Sequence, residues 1–256
     1  MENVSKHELY QNSVQNTKKE VEFFRKMYRL IYNKVPYSFR EDFCGTGLLA
    51  NEWVKNSVEN SAVGIDIDQD AIDFGLNNHT DSDRVKLLNH NVLTEYDPSQ
   101  KFDIICSLNY SHFLLTKRKE IKKYFENVFK NISKGIFIID LFGGTHIYED
   151  HYYDKGDNYR FNGKAMNILN NHTDCSLNFK VKKNKYKPMF NYTFRVYSII
   201  ELRELLEEVG FKKFKLFLKE INDDDDDDYN EYEEVDIDGE YYPESERYNG
   251  YIISYN

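Results

Sequence analysis

The stretch from Phe39 to Val54, FREDFCGTGLLANEWV, together with AVGIDID from Ala62 to Asp68, narrows the possible folds more than any other part of the chain. An acidic pair, Glu41 and Asp42, precedes a tight CGTG turn, and apolar residues then recur at helical spacing at Leu48, Leu49, Trp53 and Val54. That is a strand, a glycine turn and a helix. Gly45 and Gly47 let backbone approach a ligand with no Cβ in the way, and the helix that opens there presents unpaired N–H groups. Roughly 20 residues on, the apolar run Ala62 to Ile65 ends in Asp66, where nucleotide-binding α/β folds place the carboxylate that accepts hydrogen bonds from ribose hydroxyls.

The missing pieces narrow the nucleotide. A dinucleotide site calls for GxGxxG and a triphosphate site for GxxxxGK followed by Ser or Thr, and neither is present. One short glycine turn between two acids suits a ligand with a ribose and an amino-acid tail but no phosphates. On these residues the chain resembles the class I S-adenosylmethionine-dependent methyltransferases, whose first motif is an acid, any residue, Gly, any residue, Gly, a small residue and Gly. The register here reads Glu41, Asp42, Phe43, Cys44, Gly45, Thr46, Gly47, so Phe43 stands where that family has its first glycine.

The resemblance runs from Leu9 to the end of the chain and implies the fold. The expectation is an α/β domain with a seven-stranded, mostly parallel sheet in the order 3-2-1-4-5-7-6, helices on both faces, and an antiparallel insertion after the fifth strand. It divides the chain into an N-terminal lid and helix (1–34), a cofactor-binding core (35–144), the insertion (145–197) and a C-terminal part of the core (198–256) with an acidic loop at 222–240. S-adenosyl-L-methionine is the implied cofactor. The turn residues Glu41, Cys44, Gly45, Thr46 and Gly47, with Asp66 and Ile67, are the expected contacts. Asn91 and Val92, just past the strand Val85 to Leu88, match the positions that read adenine in this family. Ahead of the core, LYQNSVQN resembles a segment that folds over the cofactor in one branch of these enzymes, which makes Tyr10 and Gln15 lid residues; the plain alternative is a solvent-exposed terminus.

The apolar strand FDIIC, Phe102 to Cys106, runs into Ser107, Leu108, Asn109, Tyr110, Ser111 and His112. Ligands in open α/β sheets sit at the carboxyl ends of strands, so this loop is expected to face the sulfonium and the acceptor. Asn109 is the candidate contact there. His112, or Asp140 at the end of the strand IFIIDL, is the candidate proton acceptor if the methylated group loses a proton. His112 followed by Phe113 and Leu114 also reads as a packed core residue.

From Thr145 to Tyr197 the helical period disappears, and alternation as in NYTFRVY reads as antiparallel ribbon. Its many Tyr and Phe residues suit an enclosed pocket, or one for a cationic acceptor, and equally a small core of the insertion's own. Ser198 and Glu201 form a capping box for the helix that follows. The run Asp223 to Asp228 reads as a solvated surface insertion.

Composition sets the outer limits. With 256 residues, 40% of them hydrophobic, the chain can bury one large domain, and a formal net charge of -10 argues against a broad nucleic-acid footprint. Cys44, Cys106 and Cys175 have neither disulfide nor zinc spacing, so no metal is expected and a reducing, cytoplasmic setting is. No apolar run approaches the ~20 residues needed to span a bilayer, and MENVSKHELYQ is too polar for a secretory signal. These readings converge on an N- or O-methyltransferase for a small-molecule acceptor. A protein methyltransferase acting on a basic segment and a non-catalytic S-adenosylmethionine-binding protein are the alternatives, the first favoured by the acidic loop and the second by Phe43.

Overall fold

Short, continuously apolar strands alternate with amphipathic helices along the first half of the chain, and that alternation builds a parallel sheet covered on both faces. In the computed structural model, residues 5–14, 16–80, 82–155, 158–182, 185–221, 232–241 and 243–256 are described. Helices α1 (Lys6–Val14) and α2 (Thr17–Tyr32) precede β1 (Ser38–Asp42), α3 (Leu48–Lys55), β2 (Ser61–Asp66), α4 (Gln69–Asn78) and β3 (Val85–Asn89). There follow β4 (Phe102–Ser107), α5 (Arg118–Lys130) and β5 (Ile132–Gly143). The antiparallel part comprises β6 (His151–Lys155), β7 (Tyr159–Gly163), β8 (His172–Lys182) and β9 (Lys185–Arg195). Helix α6 (Ile199–Val209), β10 (Lys213–Glu220), β11 (Glu233–Val235) and β12 (Tyr248–Tyr255) complete the chain.

The main sheet has the order β11-β10-β12-β5-β4-β1-β2-β3. Strands β1 to β5 are parallel, and β12 runs antiparallel between β5 and β10. The expected order 3-2-1-4-5-7-6 is therefore present, with one correction: β11 makes an eighth strand. It arises inside the stretch read as an acidic loop, and pairs Leu216, Phe217 and Leu218 with Val235, Glu234 and Glu233. Charged side chains are tolerated there because an edge strand keeps one side in water. The run Asp223 to Asp228 itself lies outside the described residues.

Local signals explain several boundaries. Asp68 caps α4 by accepting from the Asp70 and Ala71 amides. Ser198 Oγ accepts from the Glu201 amide at 3.2 Å while Glu201 Oε2 accepts from the Ser198 amide at 3.0 Å, the reciprocal box expected at the start of α6. One buried cluster, with Trp53, Phe24, Phe39 and Leu49, fills the face under α2 and α3. On the opposite face a second cluster joins α5 and α6, through Tyr124, Phe125 and Leu206, to Tyr159, Phe161, Leu177 and Phe179 of the antiparallel sheet. The insertion is thus an extension of the core as well as a cover. Among the described residues no helix is long and apolar enough to cross a membrane.

Candidate cofactor and acceptor site

The glycine turn is built by left-handed backbone at Phe43 (φ 58°), Gly45 (φ 55°) and Gly47 (φ 69°). The two glycines serve different ends. A Cβ on Gly47 would sit 2.3 Å from Leu87 Cδ2, so that residue is bare for packing, whereas a Cβ on Gly45 would meet nothing within 4 Å. Gly45 opens onto a cavity, and the space above it is room for a ligand. Asp66 fixes this arrangement from the next strand. Its Oδ2 accepts from the Gly45 amide at 2.7 Å and its Oδ1 from the Asp68 amide at 2.8 Å. Burial raises the carboxyl above its ordinary value, and these amides pull it back.

The cavity measures about 510 Å³. Its sheet side is formed by Cys44, Gly45, Thr46, Asp66, Ile67, Asn91, Val92 and Asn109, all expected from the sequence. Tyr10 of α1 closes one end, and Tyr153, Tyr159, Phe161, Phe190, Tyr192 and Phe194 of the antiparallel sheet face the turn from across the opening. Burial is the main reason the Tyr159 and Tyr192 hydroxyls are raised, Tyr192 to about 12, so these rings are neutral phenols at physiological pH.

Four expected residues stand outside that lining, and each has another occupation. Glu41 is buried, its carboxyl raised well above the usual range by burial, and its Oε2 accepts from the Ala50 amide at 3.2 Å. It satisfies an N-terminal amide of α3. Gly47 packs on Leu87. His112 is fully buried, neither ring nitrogen has a hydrogen-bond partner among the described residues, and burial pushes its pKa down to about 3. It is a neutral imidazole behind the loop. Asp140 is half-buried and accepts from the Tyr110 amide at 2.9 Å; burial raises it to about 8, against the pull of the Tyr110 and Asn109 amides. Its carboxyl group braces the loop past β4, where Asn109 and Tyr110 are both left-handed. Gln15 lies outside the described residues.

Three features were not anticipated. Phe43, Lys6, His7 and Tyr110 also line the cavity. Gln11, rather than a neighbour further along, ties α1 to the turn: its Oε1 accepts from the Thr46 hydroxyl at 2.6 Å and lies 2.6 Å from His79 Nε2. Since an amide oxygen only accepts, Nε2 of His79 carries a proton. The third is ring packing. His7 leans on Phe74 at 5.3 Å and Tyr10 meets Phe190 at 5.4 Å, so α1 bridges the core and the insertion. A heptad-like apolar stripe would have announced this docking; here the buried residues of α1 are polar.

Residues 44–135 match the family model described as a methyltransferase domain. No curated protein matches the sequence. Among solved structures, an S-adenosylmethionine-dependent methyltransferase from Clostridium acetobutylicum superposes with a TM-score of 0.68 at 17% identity, covering 95% of each chain. A sugar N-methyltransferase from Streptoalloteichus gives 0.62 at 12% identity over 94% of this chain and 90% of its own. An amino pentose methyltransferase from Micromonospora echinaspora, solved with S-adenosylmethionine bound, gives 0.65 at 9% identity over 100% of both. At such identities the likeness is one of fold. Residues 44–135 thus match a methyltransferase domain, and over nearly its whole length the chain has the fold of solved methyltransferases.

Proposed function

We propose that this protein methylates a nitrogen or oxygen of a small molecule held between the sheet's carboxyl edge and the antiparallel insertion. The observation that carries this reading is the shared cavity. One wall is the glycine turn with Asp66, Asn91 and Asn109, and the facing wall is aromatic and belongs to the insertion. A cavity of about 510 Å³ closed on two sides suits a compact acceptor better than a folded protein surface.

The residues present fit S-adenosyl-L-methionine. Gly45 leaves room beside the turn, Asp66 is placed to accept from ribose hydroxyls, and Asn91 with Val92 stands where adenine is read. When bound, that cofactor supplies a methyl group on positively charged sulfur, already activated for transfer. What falls to this chain is holding the partners in line and excluding water. The tyrosine and phenylalanine walls attract an amine in its cationic form and shed bulk solvent. Two of the solved structures of like fold are described as methyltransferases of a sugar and an amino pentose, which supports an amino-bearing or hydroxylated acceptor. Asp140, whose carboxyl accepts from the amide of Tyr110 in the wall, is the candidate proton acceptor.

Incubating the protein with methyl-tritiated cofactor and a cell extract, then separating the products by size, tests the proposal. Label in the metabolite fraction is expected. Label confined to proteins would replace the small-molecule acceptor with a protein one, and cofactor binding with no label anywhere would favour a non-catalytic role.

A further inference from the structure

Among the described residues, those with left-handed backbone that are not glycine are Asn33, Phe43, Asn109, Tyr110 and Asn171. Asparagine takes this region at small cost and aromatic residues do not. The aromatic pair, Phe43 and Tyr110, both line the cavity. Backbone of this kind persists only where its surroundings over-determine it, and it gathers where it serves a site.

For Phe43 the surroundings form a continuous buried bracket. Its ring meets the edge of Tyr124 with centroids 5.5 Å apart. The Tyr124 hydroxyl donates to Asp42 Oδ2 at 3.0 Å, and Arg40 donates to the same carboxylate through Nε at 2.7 Å and Nη2 at 3.1 Å. Arg40 Nη1 reaches Asn131 Oδ1 at 2.7 Å. Arg40, Asp42, Tyr124 and Asn131 are all buried. A fully satisfied charged network of this kind is rigid, and it ends against the ring of Phe43, a residue that lines the cavity.

The place of that ring gives it a task. In the sheet β1 lies between β2 and β4, so Phe43, the first residue past β1, stands between Asp66 and the loop Asn109–Ser111. On the reading of Asp66 as the ribose carboxylate and of that loop as the acceptor side, the group on the cofactor sulfur would lie near the end of β1. The geometry points to Phe43 as the residue that limits the size of the alkyl group admitted on the donor sulfur, with Tyr124 as its positioning residue. Glycine would hold the same backbone without strain and leave the ring's volume open; the chain keeps the ring instead.

The test is Phe43→Gly, which suits a φ of 58°. Calorimetry measures affinities for S-adenosylhomocysteine and for S-adenosyl sulfoniums bearing a methyl or an allyl group. The wild type is expected to favour methyl over allyl by about tenfold or more, a difference within reach of one or two excluded carbons. In Phe43→Gly that ratio is expected to fall to about one through tighter allyl binding. Tyr124→Phe, which keeps the ring but drops the bond to Asp42, is expected to lower the ratio part of the way. An unchanged ratio in Phe43→Gly, or methyl and allyl affinities falling together, overturns the assignment. If Phe43→Gly melts below the assay temperature, Phe43→Leu carries the same ratio test. A wild type that does not bind S-adenosylhomocysteine refutes the cofactor reading itself, which separates the two failures.

Discussion

Asp66 serves two turns through its two oxygens, the Gly45 amide on one and the Asp68 amide on the other, so its loss removes both an anchor of the turn and the proposed ribose acceptor. Asp66→Asn presents an N–H to one of those amides and leaves a donor without a partner. The expected outcome is cofactor affinity lower by about 10- to 100-fold, the scale of one or two hydrogen bonds to a charged group, read by calorimetry with S-adenosylhomocysteine. Unchanged affinity would remove Asp66 from the site. Asp140 bears on pH. Its carboxyl is raised in the folded chain from 3.8 to about 8, so its contribution to stability is full below about pH 4, falls as the unfolded chain ionises first, and is gone above about pH 8. Asp140→Asn does not titrate. Its melting temperature should therefore gain on the wild type as pH rises through that window, and parallel profiles in scanning calorimetry would contradict the shift. At this scale the sequence was most legible where backbone does the work. Gly45 and Asp66 line the cavity as their spacing led one to expect and Asn91 as the resemblance implied, because strand ends and a glycine turn place main chain almost regardless of what packs around them. Whether Glu41 and His112 face the cavity did not follow, since the direction in which a buried side chain turns depends on neighbours far away in sequence.

Helix α1 is nine residues long, too short to be stable alone in water, and its hold on the domain rests on Gln11, His7 and Tyr10. Gln11→Ala takes the acceptor from both Thr46 and His79. With about 0.5–1.5 kcal/mol for each bond, release of S-adenosylhomocysteine is expected to quicken by about tenfold, as stopped-flow fluorescence would show. An unaltered release rate would mean that α1 does not limit exit from the cavity. The element also shows where sequence patterns give out. Parallel strands such as IFIIDL and the capping box of α6 are legible because buried strands are continuously apolar and caps use few residue types. KHELYQNSV carries no apolar stripe, so only the shape of the groove that receives it distinguishes a docked helix from a loose terminus. Strand β11 was hidden for the opposite reason: its acidic residues repel one another in isolation, and only pairing with β10 gives them an edge to occupy.

The whole molecule is held by two cores back to back on one sheet, and the antiparallel insertion belongs to the larger of them. Read from the sequence, residues 145–197 form a segment of their own, with rings that could make a private core. Phe179 shows how far the packing is shared. It is fully buried, touches Tyr159 at 5.5 Å within the insertion, and belongs to the same cluster as Phe125, Phe137 and Leu206. Trp53, the single tryptophan, sits in the other core, stacked on Phe39 at 4.9 Å. The strands between them are common to both faces, so damage at Phe179 should be felt at Trp53. Phe179→Ala is expected to lower stability by about 3–5 kcal/mol, the usual cost of deleting a buried ring. The loss should appear as one transition, with Trp53 fluorescence and far-ultraviolet circular dichroism shifting to the same lower denaturant midpoint. If circular dichroism reported an early partial loss while the Trp53 midpoint stayed at its wild-type value, the insertion would be a separately folding cover. The cavity wall it supplies would then be free to open without disturbing the sheet that carries Gly45 and Asp66.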